Sequence, residues 1–308
     1  MTGPAGRPAV SVSVPATSAN LGPGFDALGL ALALRDEVTV RVVTGPGVRV
    51  EVTGEGAADV PRDASHLVVR AMTAAFERLG EQPPGVSLHC VNRIPHGRGL
   101  GSSAAAVVAG VLAARALADR GAARMDDAAV LRLADELEGH PDNAAACLLG
   151  GLTIAWRDDS GVHATRLDPS PEVAATVFVP EAALSTETAR GMLPAVVPHA
   201  DAAHAAGRAA LLVDALTRRP DLLLAATEDR LHQTYRAAAM PATLDLVRRL
   251  RERGVAAVVS GAGPSVLALT PVDAATDLAA VAAAAGGGWR VVPLPLDGRG
   301  AAAARLDG

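Results

Sequence analysis

The chain has 308 residues, of which 50% are hydrophobic, 20% charged and only 2% aromatic, with a formal net charge of −5. It is too apolar to be disordered, long enough for one large core or two moderate ones, and too acidic to favour nucleic acid or an anionic membrane as a partner. All 28 basic residues are arginine, which rules out a lysine Schiff base, a Walker-A lysine and a lysine general base. The opening residues 1–7 lack the apolar stretch of a leader, and the longest apolar run, 104–114, is too short to span a bilayer. The expectation is a soluble cytoplasmic protein. Cys90 and Cys147 are too few for a metal cluster and read as small buried hydrophobes.

Alternating apolar residues predict strands at 10–14, 37–43 and 48–53, the last two around a Gly-Pro-Gly turn, and the apolar run 28–34 predicts another. Residues 65–79 have helical spacing, 86–91 read as a strand, and 102–118 and 126–138 as helices, the latter with Asp126 and Asp127 at its start. A strand at 152–156 closes this half, and Pro169-Ser-Pro171 divides the chain into units 1–168 and 169–308. The second unit predicts a strand at 176–179, helices at 200–217, 220–230 and 242–253, and strands at 255–260 and 265–270 about the turn 261–264. A helix at 272–285, a strand at 290–293 and a frayed glycine-alanine tail at 298–308 follow. Strands first and mixed elements later suit a two-part α+β protein.

The most informative segment runs Pro95, His96, Gly97, Arg98, Gly99, Leu100, Gly101, Ser102, Ser103, Ala104, Ala105. Its glycines let the backbone turn sharply and present N–H groups inward. The helix that begins at Ser102 adds unpaired amides and a positive dipole end at the same point. One of Ser102 and Ser103 can cap the helix while the other reaches a cation or a phosphate oxygen. A plain helix cap after a flexible loop would explain a single Gly-Ser pair; this density of both favours a cradle for polyphosphate. Residues 99–104 formally fit the dinucleotide pattern. However, the polar stretch 92–98 separates them from the strand, and the surroundings are not βαβ.

Two further clusters are polar. The twelve residues 15–26 are crowded with Pro, Gly, Asn20 and Asp26, more than a hairpin needs, although Asn and Asp also serve as turn formers. At 138–143, Glu138, His140, Asp142 and Asn143 crowd together at a helix end, where Gly139 and Pro141 would equally serve as a helix stop.

Taken together, segments 15–26, 95–105, 139–143, 185–194, 231–236 and 260–265 resemble, in order, the motifs of the GHMP kinases. Within them they are similar to the branch acting on L-homoserine. The resemblance spans roughly residues 10–270. It implies a two-domain GHMP kinase fold: an N-terminal, ATP-binding domain with a mixed sheet and the phosphate-loop helix, and a C-terminal ferredoxin-like α/β sandwich. It also implies transfer of the γ-phosphoryl of ATP to the side-chain hydroxyl of L-homoserine, in threonine biosynthesis, by a homodimer.

On that resemblance Arg190 and Arg236 hold the substrate carboxylate. Asp26 pairs with the ammonium or hydroxyl end, and Asn20, His140 and Asn143 complete the pocket. Asn143 and Thr186 lie near the transferred phosphoryl, and segment 95–105 holds ATP. Ser103 and Glu138 contact Mg²⁺, with Glu136 as the other candidate carboxylate. The Asp–Lys pair of some relatives is impossible here, so transition-state stabilisation carries the reaction, with Asp26 the candidate if a base exists. His66 stands where relatives often carry Asn beside the adenine. The rival readings are a kinase for a mevalonate-type acid or a sugar, and a non-catalytic nucleotide-binding sensor.

Overall fold

The computed structural model describes residues 8–274, 276–286 and 288–306. The opening residues 1–7, where no leader is expected, and the last two residues of the expected tail lie outside them. β1 (Ala9–Ala19) turns Val10, Val12 and Val14 into the core and pairs antiparallel with β2 (Leu28–Val42). The two strands expected at 28–34 and 37–43 are one strand of 15 residues. Its polar middle, Arg35 and Asp36, stays extended because it pairs with Pro15 and Val14 beside a register shift at Pro15/Ala16. β3 (Gly47–Gly54) turns away from β2 and lies parallel to β4 (Gly85–Asn92), across α1 (Leu67–Leu79).

α2 (Ser102–Leu117) is buried on nearly all sides, among β1, α1, α4 (Asp127–Glu138) and α5 (Asp142–Leu149). A helix apolar all round belongs in an interior, and its alanines let neighbours pack close. The short α3 (Gly121–Arg124) leads into α4, whose N-cap Asp126 accepts from the Ala129 N–H at 2.8 Å. β5 (Leu152–Asp158) and β6 (Gly161–Leu167) form a hairpin attached to the start of β2.

The second unit contains β7 (Val173–Val179), α6 (Thr186–Gly191), α7 (His199–Thr217), a 3-10 turn at Pro220–Leu222, α8 (Leu223–Ala226) and α9 (Pro241–Arg251). β8 (Ala256–Val259), β9 (Val266–Pro271), α10 (Leu278–Ala285), β10 (Arg290–Leu294) and β11 (Ala302–Leu306) follow. Its antiparallel sheet runs β10-β7-β9-β8, and α9 and α10 pack together on one face around Leu246, Leu250, Val259 and Val266. This is the ferredoxin-like sandwich. The opposite face packs Val258, Leu267 and Leu269 with α7, α8 and the first unit in a single core.

Three expectations are corrected. The helix expected at 220–230 stops at Ala226, because the Asp229 carboxylate takes the N–H groups of Leu231, His232 and Gln233 and folds the chain into a turn. The helix expected from 272 starts at Leu278, with Asp277 as its cap. The tail expected to fray at 298–308 instead carries β11, antiparallel to β1 from Ala9↔Leu306 to Ser13↔Ala302, so the first sheet runs β11-β1-β2-β4-β3.

A buried ion pair fastens that strand. Arg35 meets the Asp297 carboxylate and donates to the carbonyls of Ser13 (2.9 Å) and Gly300 (2.8 Å). Asp297 also accepts the N–H groups of Arg299 and Gly300. Asp297→Ala leaves Arg35 without its partner and is expected to destabilise the fold by about 3–5 kcal/mol, read by urea unfolding. Among the described residues, no helix is long and apolar enough to cross a membrane.

Candidate active site

Three segments far apart in the chain meet at the start of α2. The Thr17 N–H donates to the Leu100 carbonyl (3.0 Å), the Ser260 hydroxyl to the Gly99 carbonyl (2.6 Å), and the Gly261 N–H to the Ala19 carbonyl (3.1 Å). Gly99 and Gly101 have φ of +69° and +70°. A Cβ on Gly99 would fall 2.2 Å from the Ser260 carbonyl oxygen, and one on Gly101 would fall 1.9 Å from Thr17 Oγ1. The loop therefore requires glycine for both its backbone conformation and its close approach.

α2 starts with Gly101 as N-cap and no side-chain cap. Neither serine takes the capping role expected as one alternative. The first amides of the helix stay open toward a cavity of about 150 Å³ lined by the glycines of the loop, Ser102, Ser103 and Ala104. The Ser103 hydroxyl donates to Glu138 Oε1 at 2.6 Å. Burial pushes the Glu138 carboxyl above its ordinary pKa. The other candidate, Glu136, is exposed and paired with Arg78 at 2.5 Å, outside the cavity.

The far wall of the same cavity carries Asn20, Asp26, His140, Asn143, Thr186, Arg190 and Arg236. Asn20 and Asp26 hold left-handed φ of 67° and 54°, a strained conformation for non-glycine residues. Asn20 fixes this turn by donating to the Gly261 carbonyl and accepting the Asp26 N–H, each at 2.9 Å. Arg190, on α6, grips Asp26 with two hydrogen bonds of 3.0 and 2.7 Å, and this contact raises the guanidinium's already high pKa. Arg236 is not on a solvated helix face. It is 1% exposed, donates to the Ala189 carbonyl, and its pKa is lowered chiefly by burial.

At the start of α5, Asp142 is buried and accepts from the Asn143 N–H (2.7 Å) and from His140 Nδ1–H (3.1 Å), the main cause of that histidine's raised pKa. Asn143 Oδ1 accepts from Thr17 Oγ1 at 2.8 Å. Pro95 and Leu100 are buried, and Arg98 reaches the His96 and Glu181 carbonyls; these three line neither this cavity nor the one described next. Thr17 and Asp142, which bond Asn143, and Phe25 and His232, which flank Arg236, support the site although sequence reasoning gave them no role. All four lie inside the motifs quoted above, so proximity in sequence was the available signal.

An adjoining cavity of about 270 Å³ shares Ser102 and Ser103 with the first and is lined by Val14, Val38, Val60, Leu67 and Asn92. His66 caps α1 against it, 6% exposed, and its Nδ1 has no hydrogen-bond partner. Burial keeps the ring's pKa below the usual histidine range, so at neutral pH the ring offers a hydrogen bond rather than a charge.

Residues 66–151 match the GHMP kinases N terminal domain and residues 202–287 the GHMP kinases C terminal domain. The chain belongs to the GHMP kinase family of ATP-dependent small-molecule kinases. Within that family its similarity is to homoserine kinases. The homoserine kinase of Streptomyces coelicolor is 59% identical over 302 residues, covering 98% of this chain and 96% of that protein. The homoserine kinase of Clavibacter michiganensis is 53% identical over 300 residues, covering 97% of this chain and 95% of that protein. The crystal structure of homoserine kinase from Cytophaga hutchinsonii superposes with a TM-score of 0.83 at 27% identity, covering 99% of this chain and all of that one.

Gly99→Ala forces both a left-handed alanine and a collision with the Ser260 carbonyl. It is expected to lower kcat/KM for ATP by about tenfold or more, from a strain of roughly 2 kcal/mol, as measured by initial rates.

Proposed function

We infer that this chain transfers the γ-phosphoryl of ATP to the side-chain hydroxyl of L-homoserine, giving O-phospho-L-homoserine in threonine biosynthesis. One observation carries the reading beyond kinase chemistry in general. Asp26 and Arg190, at 2.7 Å, together with the buried Arg236, place a carboxylate beside two guanidinium groups at the far end of the phosphate cradle. An α-amino acid carries an ammonium and a carboxylate on one carbon. Such a ligand exchanges the Asp26–Arg190 contact for two of its own, ammonium to Asp26 and carboxylate to Arg190 and Arg236. A mevalonate-type acid has no ammonium for Asp26, and a sugar uses neither arginine's charge.

The triphosphate would lie against Gly97, Gly99, Gly101 and the first amides of α2, and the nucleoside would fill the adjoining apolar cavity, where the unpartnered Nδ1 of His66 could meet a polar edge of the base. The donor set fits Mg²⁺: Ser103 and Glu138 are bonded to each other at the cradle. Mg²⁺ is commonly held by one or two carboxylates and the substrate's own phosphates. When bound, the ion offsets charge on the transferred phosphoryl.

The protein's own groups do the positioning. Asn143, whose side chain accepts from Thr17 and donates to Asp142 at 3.4 Å, and Thr186 in the cavity wall would hold the hydroxyl and the phosphoryl oxygens in line. A loose transition state asks little of a base, so no dedicated one is required, and Asp26 is the nearest carboxylate in the substrate wall. A homodimer is carried over from the family likeness.

A coupled ADP-release assay should show turnover with L-homoserine and none with mevalonate or galactose. Absence of turnover with homoserine, or faster turnover of mevalonate, overturns the reading. Arg236→Ala is expected to raise the homoserine KM by about tenfold or more while moving the ATP KM less than about threefold. Equal rises would remove Arg236 from the substrate site.

A further inference from the structure

His232 is fully buried beside Arg236. Its ring nitrogens face groups whose hydrogen-bonding sense is fixed. Nε2 is 2.9 Å from the Gly22 carbonyl oxygen, which only accepts; Nδ1 is 3.0 Å from Arg236 Nη1, which only donates. A single state of the ring satisfies both: neutral, with its hydrogen on Nε2 and a lone pair on Nδ1. An imidazolium would set N–H against N–H and one positive charge against another.

Burial favours the neutral ring as well and holds its pKa below the usual histidine range. The Asp229 carboxylate, 3.7 Å from Nε2, pulls the other way, but it is already occupied by three backbone N–H groups. Asp26 and Arg236 are the other charges that act on the ring, and the Phe25 ring, 5.3 Å away, covers it.

The choice of a neutral acceptor has a consequence for Arg236. The guanidinium is held by the Ala189 carbonyl (3.1 Å), by His232 and by the Gly261 carbonyl (3.5 Å), and lies 5.6 Å from the centre of the Phe25 ring. None of these groups carries a negative charge. A carboxylate in place of His232 would orient Arg236 equally well but would cancel the charge that a ligand's carboxylate needs. The imidazole aims the guanidinium and leaves its charge available.

We propose that His232 is a positioning residue for the amino-acid substrate: its Nδ1 lone pair orients Arg236, and its Nε2–H pins the Gly22 carbonyl in the loop that carries Asn20 and Asp26. The identity of the ligand rests on the homoserine reading above; the hydrogen-bond arrangement does not.

Two amide variants separate the two bonds. In His232→Asn the carboxamide oxygen takes the place of Nδ1 and keeps an acceptor for Arg236. In His232→Gln the carboxamide reaches the Nε2 position and keeps the bond to Gly22 but removes that acceptor. His232→Gln is expected to raise the homoserine KM by about tenfold or more, His232→Asn by about threefold or less, with the ATP KM of both within about twofold of wild type. An unchanged homoserine KM in His232→Gln, or homoserine and ATP KM values rising together, overturns the proposal; a purely packing role gives the second pattern.

A long-range ¹⁵N–¹H correlation spectrum of the free wild-type protein at neutral pH reads the tautomer without any variant or substrate. A hydrogen on Nε2 alone is expected, and a hydrogen on Nδ1 overturns the proposal. If wild type fails to phosphorylate homoserine while the ring shows the expected tautomer, the substrate assignment falls and the hydrogen-bond arrangement stands.

Discussion

Where the Ser260 hydroxyl meets the Gly99 carbonyl at 2.6 Å, two backbones come so close that neither admits a side chain on Gly99. That junction joins the loop before α2 to the turn between β8 and β9, and hence one unit to the other. The neighbouring bonds, Thr17 to Leu100 and Gly261 to Ala19, bring the N-terminal motif to the same point. The site is therefore assembled from tertiary contacts between backbones. Its proposed anion-binding groups are amides that cannot ionise, lengthen or rotate away, and phosphoryl transfer depends chiefly on such fixed positioning.

A chain without lysine must find its positive charge elsewhere. It uses two devices. One is the uncapped start of α2, where partial charges on N–H groups converge. The other is a pair of guanidinium groups treated in opposite ways: Arg190 is neutralised by Asp26 at the cavity wall, and Arg236 is buried among neutral acceptors around Phe25. The first presents an ion pair and the second presents net charge, the arrangement on which the proposed zwitterionic substrate rests. Glu138 stands apart from both, bonded to Ser103 beside the cradle.

Elements with strong local patterns were readable from the sequence. α2 and α4 begin within a residue of the expected positions, because an apolar run after glycines and an Asp cap leave little choice. Segments governed by distant partners were not. Residues 298–306 carry mostly glycine, alanine and arginine, so nothing local distinguishes β11 from a loose end; its order comes from the β1 ladder and from the Arg35–Asp297 contact. α5 was hidden because Gly139 and Pro141 look like a full stop, whereas the chain restarts a helix at Asp142 at once. In the site, residue identities in the motifs were readable, and the orienting partners Thr17 and Asp142 were not, since their role is defined by whom they touch. The Asp26–Arg190 contact links residues 164 positions apart and has no sequence signature of its own.

The placement of β11 also bears on how the protein is made. The strand lies on the outer edge of the first sheet, yet all four strands of the second sheet precede it in the chain. As the polypeptide leaves the ribosome, β1 must wait with one row of backbone groups unpaired until the ferredoxin-like unit has been synthesised. The first sheet thus gains its last edge only once the second sheet has been synthesised, although β1 already pairs with β2 along its other side.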